Sequence, residues 1–96
     1  MAMIIVGTLT KDPDETRLFR MDWTAHIGVD EILMSTWEIP AGLTLVANGI
    51  IEGNTKTYMF LRGGTANSSY VLTNTVLLYG SKEILQRSCR LDVREH

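Results

Sequence analysis

Histidine and cysteine, on which most hydrolytic and zinc sites depend, are scarce in this sequence: it holds only His26, His96 and Cys89. A hydrolytic triad needs a base beside its nucleophile, and a structural zinc site takes four cysteine or histidine ligands. His26 lies just before Gly28 and is interpreted as a turn residue. The sequence therefore predicts no enzyme activity, no metal site and no cofactor.

Two other polar groups have residue types suited to binding but not the spacing of a known ligand site. The carboxylates of Asp12, Asp14 and Glu15 flank Pro13, in a pattern that matches no calcium loop. Gly63 and Gly64 lack the strand, helix and downstream lysine of a phosphate-binding loop. We interpret both as solvated turns and as possible contacts with a partner protein. The candidate contact residues are Asp12, Asp14, Glu15, Gly63, Gly64 and Asn67.

Length and charge restrict the protein class. Ninety-six residues suit one domain, residues 1–96. The net charge of −2 offers no basic excess for a phosphate backbone, so no nucleic-acid partner is expected. No apolar run approaches the roughly 18 residues of a membrane helix, so no membrane partner is expected either. A single cysteine cannot form an internal disulfide, and Cys89 is interpreted as a small core residue.

The hydrophobic pattern is that of β-strands. Phe19, Met21 and Trp23 alternate with polar residues, and Leu33 and Trp37 do so in a second segment; we predict that all five point inward. Seven candidate strands, beginning with residues 3–10, are separated by turn signals about every 8–14 residues. This spacing predicts an all-β, immunoglobulin-like sandwich of about seven antiparallel strands.

Two details of the strand pattern leave alternatives open. In the last segment Arg87 falls on the inward register, which indicates a late start or a bulge, and residues 82–90 can also be drawn as a helical turn. The opening residues Met3-Ile4-Ile5-Val6 are apolar on both faces. An apolar edge strand must be covered, either by the core or by a partner chain.

Three aromatic residues are predicted to be structural. Trp23 and Trp37 are interpreted as core anchors. Tyr70 stands at the start of the penultimate strand, where immunoglobulin-like sandwiches place a tyrosine corner, and we expect its hydroxyl to bond a backbone acceptor. Were both tryptophans exposed, they would instead form the aromatic platform of a carbohydrate- or cell-surface-binding immunoglobulin-like module.

The chain resembles the small immunoglobulin-like proteins of tailed bacteriophages described as fibre–tail adaptors. The residues that carry the resemblance run in order along nearly the whole chain: Lys11-Asp12-Pro13-Asp14, Asp22-Trp23, Ser35-Thr36-Trp37, Pro40-Ala41-Gly42-Leu43-Thr44, Leu61-Arg62-Gly63-Gly64-Thr65-Ala66, Tyr70, Thr73-Asn74, Arg87-Ser88, Arg90-Leu91 and Val93. The resemblance implies a structural virion protein, a docking module at the neck or tail, with no catalytic residues.

The same resemblance implies the setting in which the protein works. Its partners would be portal, connector or tail-fibre chains, and it would be present in multiple copies in a symmetric assembly. It would be made in the cytoplasm of the bacterial host and end in the virion. A further alternative, apart from this resemblance, is an enzyme subdomain or regulatory subunit, which would need a larger polypeptide or a partner to supply the active groups.

Overall fold

A computed structural model describes the backbone of residues 5–95 and the side chains of residues 9–95. Seven strands and one single-turn helix follow each other along the chain. Their bounds are β1 (Ile5–Lys11), β2 (Arg17–Asp22), α1 (Thr24–Ile27), β3 (Ile32–Glu38), β4 (Leu43–Ile51), β5 (Lys56–Gly63), β6 (Ser68–Leu78) and β7 (Ile84–Val93).

The strands form two sheets that pack face to face. One has the order β1-β7-β6-β3 and the other the order β2-β5-β4. The core between them consists of the buried apolar residues Phe19, Met21, Trp23, Ile27, Ile32, Met59, Leu61, Leu72, Val76, Leu78, Cys89, Leu91 and Val93. The predicted all-β sandwich is confirmed.

The connectivity agrees only in part with an immunoglobulin-like sandwich. Grouping β2, β5 and β4 against β3, β6 and β7 matches the constant-type arrangement of that fold. However, β1 lies beside β7 and runs parallel to it, so the expectation of purely antiparallel strands is wrong. Parallel pairing is possible here because a long connection, from β2 to β6, joins the two strands; a tight hairpin would make them antiparallel. The immunoglobulin-like assignment therefore stays a prediction.

The first strand agrees with the prediction where the structure describes it. β1 (Ile5–Lys11) covers residues 5–10 of the predicted segment 3–10 and extends it to Lys11. Met3 and Ile4 lie outside the described residues.

A bulge at the start of β3 reverses one predicted orientation. The pairing of β3 with β6 shifts register between Ile32 and Met34. The extra residue of a bulge breaks the alternation of faces, so Ile32 is buried and Leu33 is 46% exposed. The prediction that Leu33 points inward is wrong. Trp37, further along β3, is half-buried and packs against the core.

The last strand is regular through Arg87. The pairing of β7 with β6 is continuous from Ser68↔Val93 to Leu77↔Ile84, so neither a helical turn nor a bulge is present there. The Arg87 guanidinium lies 5.1 Å from the centre of the Trp23 ring and donates a hydrogen bond to the Asp22 carbonyl. An inward arginine is tolerated because the aromatic face and this carbonyl partly replace water. Burial lowers its pKa.

Candidate functional site

The acidic turn (residues 12–15) is held in one shape by its own hydrogen bonds. The Asp12 amide donates to the Glu15 carboxylate at 2.9 Å, and the Asp14 amide donates to the Asp12 carboxylate at 2.9 Å. The Glu15 amide closes the turn on the Asp12 carbonyl at 3.1 Å. The side chains of Asp14 and Glu15 are exposed. The turn therefore presents negative charge on a fixed backbone.

Lys11 joins this turn to the glycine loop (residues 63–69). Its ammonium nitrogen Nζ donates to the Asp12 carbonyl and to the Gly63 carbonyl, both at 2.7 Å. The residue is fully buried, and burial lowers its pKa although Glu15 and the two aspartates of the turn act to raise it. Two segments that are about fifty residues apart in sequence thus meet at one end of the sandwich.

The glycine loop is shaped by a residue without a side chain. Gly64 has φ of +100°, and an added Cβ would lie 2.8 Å from a methyl carbon of Val93. Its amide donates to the Gly42 carbonyl at 2.9 Å, which brings the loop between β3 and β4 to the same end. Gly63 and Gly64 therefore act here by fixing the backbone, since only glycine adopts this conformation without strain at so close an approach.

Tyr70 holds the glycine loop in place through a side-chain hydrogen bond. Its hydroxyl accepts a hydrogen bond from the Thr65 amide at 3.0 Å, the geometry of a tyrosine corner. The backbone partner is an N–H donor, so the prediction that the Tyr70 hydroxyl bonds a backbone acceptor is wrong. This bond favours the phenolate and lowers the pKa of Tyr70.

A polar cluster that sequence reasoning missed lies next to the loop. The Asp92 carboxylate accepts from the Ser69 hydroxyl at 2.7 Å and from the Arg90 Nε at 2.8 Å, and Arg94 lies 3.6 Å away. These hydrogen bonds, led by that of Ser69, lower the pKa of Asp92. The cluster lies in a shallow depression that exposed Asn67 also borders. The Asn67 backbone N–H donates to the Val93 carbonyl at 2.7 Å. The only sign of this cluster in the sequence is the position of Asp92, a charged residue between the apolar residues Leu91 and Val93.

The tryptophans do not form a surface platform. Trp23 is 1% exposed, and its indole Nε1 donates to the Asn74 side-chain oxygen at 2.9 Å. Trp37, on β3, is half-buried and packs against the core. Nothing in the described residues supports the carbohydrate- or cell-surface-binding alternative, which required both rings in solvent.

Neither a metal-binding cluster nor a membrane-spanning helix is present among the described residues. Within residues 5–95, no three histidine, cysteine or acidic side chains are grouped so that they could hold a metal ion. In the same range, no helix has the length and apolarity needed to cross a membrane. His26 is exposed in α1, with its ring 6.1 Å from that of Trp23.

Comparison with known proteins places these features in a family. None of the curated proteins compared with the chain matches it. Residues 11–92 match the family model described as podophage GP4 fiber-tail adaptor protein gp77. The matched range begins at Lys11 and includes the acidic turn, the glycine loop, Tyr70 and Asp92. The chain therefore belongs to the podophage GP4 fiber-tail adaptor protein gp77 family, and it is a structural adaptor of a phage tail.

Proposed function

We propose that the acidic end, formed by the acidic turn and the glycine loop, is the surface through which this adaptor holds a neighbouring virion chain. The partner would be a portal, connector or tail-fibre protein. The observation that carries the proposal is the Lys11 ammonium group, whose bonds to the Asp12 and Gly63 carbonyls make one surface of two distant segments. A preorganised surface loses less entropy on binding.

The charge of the acidic end indicates what it binds. Neither Asp14 nor Glu15 forms an ion pair with a described residue, and the buried Lys11 ammonium faces backbone carbonyls. Partner surfaces that complement such a patch carry lysine or arginine. We therefore expect a basic surface on the chain that docks here.

Several copies of one domain, residues 1–96, would act together in the particle. Identical contacts repeated around a symmetric neck or tail would add up to strong attachment even where each contact alone is weak. The role requires no catalytic step, so we propose that the protein is not an enzyme. We further propose that it is made in the bacterial host cytoplasm before it joins the virion.

A charge reversal at the acidic end tests the proposal. Phage carrying Asp14→Lys and Glu15→Lys should yield particles with fewer adaptor or fibre copies than wild type, measured by quantitative mass spectrometry and by electron microscopy of fibres. Glu52→Lys, just beyond the opposite end of β4, is a single charge reversal at an exposed position; it also removes the ion pair with Lys56, and it should leave both counts unchanged. Melting temperatures of the purified variants identify any loss caused by misfolding.

Two results would count against different parts of the proposal. A full complement of adaptor and fibre in the charge-reversed particles would exclude the acidic end as the docking surface. If the wild-type chain were missing from mature particles while fibres attached normally, the adaptor role itself would be wrong.

A further inference from the structure

The edge strand β3 offers a second surface of different chemistry. No described strand pairs with its outer side, because it ends the order β1-β7-β6-β3. Natural edge strands are usually protected by charges or by a bulge in mid-strand. β3 has no charged residue before Glu38, and its bulge lies at the start, at Leu33, so residues 34–38 form a regular edge. The uncharged edge strand β4, in contrast, has its bulge in mid-strand, between Leu45 and Ala47.

An apolar row crosses the sheet beside this edge. Met34 pairs with Leu77, and Leu77 pairs with Ile84, so the three side chains stand together on the outer face. Met34 is 56% exposed and Ile84 is 51% exposed. They line a shallow apolar depression together with Thr36 and Thr75. This Met34–Leu77–Ile84 row lies outside the acidic end.

The rim of the row is acidic. Glu31 and Glu38 flank β3, and Glu83 immediately precedes Ile84. None of the three glutamates forms an ion pair with a described residue. The nearby Lys82 ammonium lies in the turn between β6 and β7. It is 4.8 Å from the centre of the Tyr79 ring and donates a hydrogen bond to the Tyr79 carbonyl. A segment with positive charge at both ends of β3 would therefore complement this rim.

We infer that the β3 edge binds an extended segment of another virion protein, with an apolar centre and lysine or arginine on both flanks. The inference rests on the proposed adaptor function and names the type of its second partner contact. Strand addition supplies main-chain hydrogen bonds along the free edge, and alternate side chains of the added strand seat on the Met34–Leu77–Ile84 row. The basic flanks then face Glu31 and Glu38.

A second copy of this chain fits the same edge poorly. If two β3 strands paired antiparallel with Ser35 of each copy opposite Met34 of the other, Glu38 of each copy would lie directly opposite Glu31 of the other. Like charges facing each other across strands are destabilising. The charge pattern therefore favours a different chain as the occupant.

Photo-crosslinking in assembled phage tests this inference. Met34→p-benzoylphenylalanine places a reactive group on the row, and Val46→p-benzoylphenylalanine is the matched control, at an exposed apolar position on β4 of the other sheet. After irradiation of purified particles, mass spectrometry identifies the crosslinked peptide. We expect position 34 to join a segment of another virion protein that is apolar and flanked by lysine or arginine, and position 46 not to join it. Glu31→Lys combined with Glu38→Lys should abolish that crosslink.

Each other outcome overturns the inference. A crosslink from position 34 to another copy of this chain, or to an acidic segment, would make the assigned occupant wrong. The absence of any protein crosslink from position 34, in particles that contain the adaptor, would show that the edge is free, while the adaptor function would stand. Absence of the chain from particles would instead defeat the proposed function.

Discussion

Asn74 uses every hydrogen-bonding atom of its side chain to hold the two sheets together. Its side-chain oxygen accepts from the Trp23 indole at 2.9 Å and from the Thr57 hydroxyl at 2.7 Å. Its side-chain nitrogen donates to the Ser35 hydroxyl and to the Thr36 carbonyl, both at 2.9 Å. A fully satisfied buried amide of this kind fixes one arrangement of the strands, because any shift leaves polar atoms unpaired.

The variant Asn74→Ala tests how much this amide contributes. It removes four hydrogen bonds and leaves the buried Trp23 indole and Thr57 hydroxyl without their partner. Each buried group left unpaired costs about 1–3 kcal/mol, so we expect the free energy of unfolding to fall by about 3 kcal/mol or more. Asn48→Ala, at an exposed position on β4, should change it by less than about 0.5 kcal/mol. Urea denaturation measures both, and equal effects would show that the amide network contributes nothing special.

Residues with apolar roles were easier to predict than residues with polar roles. Burial of Trp23 follows from its alternation with Phe19 and Met21, which is visible in the sequence. Lys11 and Asn74 were not identified, because their roles depend on partners far along the chain. The Lys11 ammonium binds a carbonyl 52 residues away, and the Asn74 amide binds an indole 51 residues away. A lysine or asparagine in a strand carries no local mark of such a partner.

At the scale of elements, Asp30 organises the turn between β6 and β7. Its carboxylate accepts from the amides of Ser81 at 2.9 Å, Gly80 at 2.7 Å and Glu31 at 2.8 Å. These amide donors, Ser81 first, lower the pKa of Asp30 from 3.8 to about 2. The carboxylate thus acts as a cap that requires its negative charge.

The pH dependence of stability tests the Asp30 cap. Because the folded-state pKa lies below the unfolded one, the stabilisation is fully present above about pH 4 and is lost as the pH falls through about 2. Asp30→Asn should lower stability at neutral pH and flatten the pH dependence between these values, in denaturation curves recorded at each pH. The control is Glu38→Gln, because Glu38 is an exposed carboxylate without an amide donor among the described residues. An unchanged acid profile for Asp30→Asn would contradict the role of the cap.

Most strands were predictable because their alternation is local, and the errors have specific physical causes. The bulge at Leu33 inserts a residue that no propensity marks, and it reversed the face of that side chain. The parallel pairing of β1 with β7 depends on contacts between strands at opposite ends of the described residues, which no local pattern contains. The inward register of Arg87 predicts a late start or a bulge in β7, but the Trp23 ring and the Asp22 carbonyl accommodate this side chain within a regular strand.

At the scale of the whole molecule, two sheets without a disulfide depend on packing between them. Cys89 is buried and burial raises its pKa to about 11, so the thiol is poorly reactive in the folded state. A domain of this length has a free energy of unfolding of about 5–14 kcal/mol. One large core residue therefore accounts for a sizeable part of the stability that makes an adaptor rigid.

A comparison of the two tryptophans tests this dependence on the core. Trp23→Ala should lower the free energy of unfolding by about 3–5 kcal/mol, because the ring is fully buried between the sheets. Trp37→Ala should cost less, since its ring is only half-buried. Chemical denaturation compares them, with exposed Tyr79→Ala as the control. A larger loss for Trp37 than for Trp23 would mean that the core is centred elsewhere.

The position of β7 between β1 and β6 has a consequence for biosynthesis. The ribosome makes β1 first and β7 last among the described strands, yet β7 is the neighbour that β1 pairs with in the structure. Until β7 emerges, the apolar Ile5-Val6 stretch of β1 has no strand beside it, and unpaired apolar strands are prone to aggregation. The nascent chain thus holds β1 without its partner strand until β7 has been made, and folding of this sheet is completed only after synthesis of β7.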